Sequence, residues 1–150
     1  MILMLFPAFL LSGSGMPVKR KHVALRLPAG PPVVDGKLDD PCWQGGGWTG
    51  DFTQQQPNQG AKPSQETEFK ILYDDRNLYV AIRAHDREPG KIERRISRRD
   101  DFSGDIVGIC LDSYFDHRTG FEFNLTAAGV KVDLVPTGGG GTWDFNWNAV

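Results

Sequence analysis

Three pairs of neighbouring carboxylates, Asp39-Asp40, Asp74-Asp75 and Asp100-Asp101, are the residues that bring glycoside hydrolysis to mind. That reaction needs two carboxyls about 5 to 10 Å apart across a substrate cleft, one to move a proton and one to attack or to activate water. Carboxylates adjacent in sequence and set among turn residues do not have that geometry, so the expectation is a non-catalytic chain. His22, His85 and His117 fall on three separate segments without metal-ligand spacing. The stretch "DSYFDHRTG" offers Asp112, Asp116 and the carbonyls between them as oxygens for a calcium ion, which takes about six to eight. The same stretch reads more economically as a hairpin turn with an Asp116 to Arg118 pair. Calcium is therefore the one cofactor the residues leave open.

The aromatic residues carry a different chemistry. Phe102 lies in the charged lead-in "RRDDFSGD" to an apolar run, and Trp143 and Trp147 are spaced by four in a Gly-rich extended stretch. Such rings either stack on the apolar C–H face of a sugar or pack beneath neighbouring strands. Arg94, Arg95, Arg98 and Arg99, balanced by Glu93, Asp100 and Asp101, are expected to form a solvated face rather than an anion site.

The elements that must position these residues are short and alternating. "ETEFKILYD" sets Phe69, Ile71 and Tyr73 against Glu68, Lys70 and Leu72, and "NLYVAIRAHD" alternates in the same way. Asp74 to Asn77 between them has hairpin composition. The resulting hairpin, residues 66 to 85, is expected to bury Phe69, Ile71, Val80 and Ile82. "DIVGICLD" supplies another strand, and "GFEFNLTAAGVKVDLV" two more around Ala127-Ala128-Gly129, with Phe121, Phe123, Leu125, Val130, Val132 and Leu134 expected inside. Glu122, Asn124, Lys131 and Asp133 are expected on the opposite, open face. Val23, Leu25 and Leu27 mark a first strand, and Asp39-Asp40-Pro41 ahead of Cys42-Trp43 a helical turn anchored by Trp43. With no long segment of helical period, the expected fold is an all-β antiparallel sandwich, jelly-roll-like and incomplete at the C-terminus.

The chain of 150 residues suits one domain, residues 16 to 150, after an apolar segment at 1 to 15. "MILMLFPAFLL" followed by "SGSG" is similar to a secretory signal, although no Lys or Arg precedes the apolar run, and it is too short to span a bilayer. With 17 Lys and Arg against 19 Asp and Glu, the net charge of -2 gives no overall attraction for nucleic acid. Cys42 and Cys110, in apolar contexts, read as unpaired core thiols more readily than as a disulfide.

In order and spacing, "VVDGKLDDPCW", "FKILYDDRNLYVAIRAHD", "DIVGICLD" and "RTGFEFNLTAAGVKVD" resemble carbohydrate-binding module family 9. They resemble more closely the family 9-like module at the N-terminus of exported bacterial proteins that continue as an outer-membrane β-barrel. The resemblance covers roughly residues 30 to 150. It implies a β-sandwich, export to the periplasm, outer membrane or extracellular space, a carbohydrate ligand, and covalent attachment to a C-terminal barrel or to glycoside hydrolases of carbohydrate catabolism. In sugar-binding members a Trp precedes the strand-opening Asp by three and a Glu follows it by three, with an Arg on the next strand and a second Trp near the domain's end. Those positions hold here Phe102, Gly108 and Asn124, with the last falling beyond Val150; Asp105 and Asp112 match. The resemblance implies ligand contacts at Phe102, Asp105 and Asn124, with weak sugar binding because two hydrogen-bonding side chains are replaced; Trp143 and Trp147, read from their own spacing as a stacking platform, complete the candidate ligand site. The alternative is a structural or partner-docking domain of an outer-membrane β-barrel protein that kept the fold and lost the sugar site.

Overall fold

The computed structural model describes residues 20–28, 30–136, 141–142, 145 and 147–150, and apart from two 3-10 turns the regular elements among them are all β-strands. One sheet has the order β1-β2-β3, with β1 Leu25–Arg26, β2 Thr67–Tyr73 and β3 Leu78–Ala84. The second has the order β4-β5-β6-β7, with β4 Ile106–Leu111, β5 Phe121–Thr126, β6 Lys131–Val135 and β7 Gly141–Thr142. All neighbours are antiparallel except β1, which runs parallel to β2. The all-β, sandwich-like class expected from the alternation is what the structure shows. The helical turn is also where the sequence puts it, a single 3-10 turn at Pro41–Trp43 with Cys42 and Trp43 buried.

The β2–β3 hairpin pairs Thr67 with Ala84 through Tyr73 with Leu78. Its turn is closed by Asp74, whose carboxylate accepts the backbone N–H groups of Arg76 and Asn77, each at 2.7 Å, and the Tyr79 hydroxyl at 2.8 Å. The Arg76 amide first, then the Tyr79 hydroxyl, hold this carboxyl down to about 2.

The hairpin register follows the sequence, but the buried face does not. Phe69, Ile71, Val80 and Ile82 are half-buried, whereas Lys70, Leu72 and Ala81 on the opposite face are buried. Cys42 and Trp43 of the 3-10 turn dock there with Leu72 and Ala81, and Leu27, Leu38, Trp48 and Tyr79 pack around them. Lys70 is 2% exposed. Taking an ammonium out of water costs several kcal/mol unless its N–H groups find acceptors. Here its Nζ donates to the carbonyls of Trp43 at 2.6 Å, Gly45 at 2.9 Å and Gly46 at 3.2 Å, so a charged residue can occupy the core side. The other face is covered in its turn by His22 and Phe52, whose rings lie 4.7 and 5.8 Å from that of Phe69. The first strand is short: Leu25 and Arg26 pair with Leu72 and Tyr73, Leu27 donates its N–H to the Tyr73 carbonyl at 2.9 Å, and Val23 remains exposed.

The second sheet shows the same reversal. Phe121, Phe123 and Leu125 are half-buried, while Glu122, Asn124 and Thr126 are buried at 5%, 5% and 3% exposure. Asn124 donates through Nδ2 to Glu122 Oε1 at 3.0 Å, which satisfies part of this polar interior. On β6, Val132 is buried as expected and Asp133, expected on the open side, is buried completely.

Two outcomes follow. Lys70→Met strips three loop carbonyls of their donor and should lower unfolding free energy by about 3 kcal/mol, read from urea denaturation; an unshifted midpoint would mean the 43–46 loop is held by other contacts. Asp74 has a depressed folded-state pKa, so its stabilising contribution is full above the ordinary carboxylate value and disappears as pH falls from about 4 through about 2. Asp74→Asn should therefore flatten the acid limb of stability against pH in that window, and an unaltered limb would assign acid sensitivity elsewhere.

Candidate functional site

The stretch "RRDD" is exposed at Arg98, Arg99 and Asp101, as expected of a solvated face, but Arg99 and Asp100 also reach into the second sheet. Arg99 pairs with the carboxylate of Asp133, a residue of 0% exposure in the middle of β6. Asp100 donates its N–H to the Lys131 carbonyl at 3.2 Å, and its carboxylate accepts the N–H of Asp133, also at 3.2 Å. Residues 99 and 100 are thereby laid along β6, carrying the segment that leads to Phe102.

Asp133 holds a second segment as well. Its Oδ2 accepts the backbone N–H of Phe145 at 2.8 Å, and its Oδ1 accepts the indole N–H of Trp147 at 3.1 Å. Lys131, two residues away on the same face of β6, donates to the Trp147 carbonyl at 2.7 Å and lies 5.3 Å from the indole centroid. The half-buried row on β5 supplies the floor. Phe123 meets Trp147 edge-on at 5.5 Å and Phe145 at 5.5 Å, and Phe121 meets Phe145 edge-on at 5.6 Å. Phe121 and Phe123 are half-buried with residues 145 and 147 packed against them. A carboxylate buried by its neighbours and fully engaged with a guanidinium, an indole and an amide is a fixed post rather than an acid or base. What the arrangement offers a ligand is aromatic surface and exposed polar groups, not chemistry.

The predicted site residues separate. Trp147 is half-buried and locked in the way described. Phe102 is 41% exposed, just outside the start of β4. Asp105 stands three residues on, its carboxylate accepting the Glu93 N–H at 3.1 Å while its own N–H donates to the Glu93 carbonyl at 3.1 Å. This double bond ties the arginine-bearing segment to the sheet. Gly104 next to it has φ 82°, and a Cβ there would stand 2.3 Å from the Glu93 carbonyl oxygen, so the pairing requires glycine. Asn124 is a correction: the open position expected for it is buried, because it lies on the polar face of β5 that the fold turns inward. Its Oδ1 occupies the space above Gly108, 1.9 Å from where a Cβ would be. Trp143 lies outside the described residues.

Sequence reasoning missed Arg99, Lys131 and Asp133. Lys131 and Asp133 alternate with Val132 as any solvent-facing pair would, and nothing local distinguishes them. Asp112 and Asp116, the candidate calcium ligands, each cap two backbone N–H groups of their own loop. Among the described residues no group of three or more His, Cys, Asp or Glu is placed to hold a metal ion. Cys42 and Cys110 are free thiols, each with its pKa pushed up by burial first and by a neighbouring carboxylate second. A separate open cleft of about 270 Å³ lies at the first sheet, between Lys21, His22, Trp48 and Thr49. The Arg83 guanidinium stands 3.9 Å over the Trp48 ring there.

Residues 34–134 match the family described as carbohydrate family 9 binding domain-like. Neither a curated protein nor a solved structure matches the chain.

Removing the post should release both arms. Asp133→Ala leaves Arg99, the Phe145 amide and the Trp147 indole without their shared acceptor, and should cost about 3 to 5 kcal/mol. It should also red-shift tryptophan emission in the folded state, a shift that disappears when Trp147→Phe is made in the same background. Unchanged emission would show that Trp147 is seated by something other than Asp133.

Proposed function

The chain belongs to the carbohydrate family 9 binding domain-like family, and from that premise we propose that it is a non-catalytic module that binds carbohydrate weakly at the start of β4. The observation that carries this reading is the Asp133 post, from which hang both the segment leading to exposed Phe102 and the segment bearing Trp147. Two aromatic residues on braced arms are the means by which a protein holds a sugar ring through its apolar face. The hydrogen-bonding side chains that sugar-binding members bring are replaced by Gly108 and Asn124, and Asn124 is turned to Glu122. Hydrogen bonds to charged groups contribute roughly 1.5 to 3 kcal/mol each, so the loss of two weakens binding by about two orders of magnitude or more.

The apolar opening from Met1 to Leu11 followed by Ser12 to Gly15 supports a reading in which the module is exported. It then works in the periplasm, at the outer membrane or outside the cell, joined to a C-terminal barrel or hydrolase domain. The burial of Asn124 favours a second reading, a structural or partner-docking domain of an outer-membrane barrel protein that has lost its sugar site.

Titration calorimetry against mono-, di- and oligosaccharides separates the two. Millimolar binding that is lost in both Phe102→Ala and Trp147→Ala supports the sugar site. Micromolar binding that survives Phe102→Ala overturns the site, and no binding by the native chain leaves the docking reading standing.

A further inference from the structure

The loop between β4 and β5 holds an arrangement that the site above does not use. Its two aromatic residues, Tyr114 at 69% and Phe115 at 77%, are the most exposed aromatic side chains among the described residues, well beyond Phe102. They are not loose. The Asp112 carboxylate accepts the N–H groups of Asp116 at 3.2 Å and His117 at 2.9 Å, and the Asp116 carboxylate accepts those of Arg118 at 2.8 Å and Thr119 at 2.7 Å. The amides of Thr119 first and Arg118 second hold the Asp116 carboxyl below its ordinary range, so these caps persist at neutral pH.

Within this frame Phe115 has φ 53° and His117 φ 57°, a left-handed conformation that a bulky side chain rarely adopts. A backbone kept in that conformation by its surroundings is a pointer to function, since a relaxed loop would release it. Its result here is to present the two rings outward. The Phe115 ring is braced by the His117 ring at 4.9 Å and the Tyr114 ring by Phe121 at 5.9 Å, with exposed Arg118 alongside as a donor. Both nearby carboxylates are turned to the loop backbone, each accepting two of its N–H groups.

We infer that Tyr114 and Phe115 form a second carbohydrate-stacking platform, at the opposite end of β4 from Phe102, that takes a sugar unit of a polysaccharide chain. The inference rests on the carbohydrate reading of the family but not on the Phe102 site. Braced, exposed rings with an arginine donor beside them suit the apolar face and hydroxyls of a sugar. A platform of two rings without a cleft gains little from a monosaccharide; on a polymer it gains from the many equivalent units presented together.

Affinity electrophoresis through gels containing soluble β-glucan, xylan, mannan or pectin tests it on the native chain, Tyr114→Ala/Phe115→Ala, Phe102→Ala and Tyr114→Trp/Phe115→Trp, with thermal melts of each. The expected result is retardation of the native chain by at least one polymer, reduced about tenfold in apparent affinity by the alanine pair, the worth of two stacked rings. The tryptophan pair should bind at least as well as the native chain, and melts should be unchanged because both rings are exposed. Retardation that survives the alanine pair but not Phe102→Ala overturns this inference and leaves the Phe102 site in place. The reverse pattern supports the inference and removes the Phe102 site. No retardation by any polymer, or a change of oligomeric state as the only effect of the alanine pair, overturns the inference in favour of a protein-facing surface.

Discussion

A completely buried carboxylate on the central strand of an aromatic face has to be answered by donors, or it will not stay ionised or stay buried. Asp133 meets that demand with groups from two distant parts of the chain, the guanidinium of Arg99 and the amide and indole of residues 145 and 147. The constraint runs in both directions. The donors stabilise Asp133 inside, and Asp133 fixes where the 99–100 and 145–147 segments can lie. Phe121 and Phe123 meet the rings of residues 145 and 147 because Asp133 holds that segment above them. Apolar residues of similar volume in place of both Asp133 and Arg99 would pack as well, but they would give neither segment a definite place. The carboxylate contributes position more than stability.

The first sheet repeats the device with the opposite sign. Lys70 carries a positive charge into the core side of β2 and gathers the carbonyls of Trp43, Gly45 and Gly46. This Gly-rich loop has little side-chain material with which to pack. An ammonium that accepts no substitute for its three oxygens gives the loop one conformation in place of many. Trp48, carried on the same loop, comes to rest within 4.9 Å of Lys70 and 3.9 Å of Arg83. In each sheet a single buried charge, rather than apolar contact, turns an adjoining irregular segment into part of the structure.

That dependence on charge explains what the sequence could show. Alternation located β2 to β6, and turn residues placed the hairpin, because strand and turn preferences are local. Trp43 was legible as an anchor because Pro41 ahead of it fixes a helical turn. The inner face of each sheet was not legible. Alternation in "EFKILY" and "FEFNLT" divides residues between two faces without saying which face a loop will cover. Reading the apolar set as inside is the usual solution for a one-sided sheet, but here both faces are covered, one by docking loops and the other by stray aromatic rings. Lys70, Glu122, Asn124 and Asp133 were assigned to solvent on type alone, and their burial depends on partners 12 to 34 residues away or on one another. Of the candidate site residues, Phe102 was expected from the family resemblance, and the structure leaves it exposed. Asp133 could have been found only by knowing what would sit above it.

The same geometry explains why the departure from the sugar-binding pattern is a joint one. Gly108 and Asn124 are directly paired across β4 and β5. A Cβ added at 108 would stand 1.9 Å from Asn124 Oδ1 and 2.9 Å from the Phe123 carbonyl oxygen. A carboxylate side chain cannot enter at 108 while Asn124 keeps its bond to Glu122. Conversely, a long side chain at 124 has to leave the inward position that Gly108 opens for the short amide. The two positions therefore form one packing unit, in which the space given up by the first is filled by the second and the freed amide is satisfied by Glu122. Restoring either residue of the sugar-binding pair alone introduces a clash or an unpaired buried polar group. In the function proposed above, these inner polar residues serve the fold, and contact with a sugar is left to the aromatic rings at the edges of the sheet.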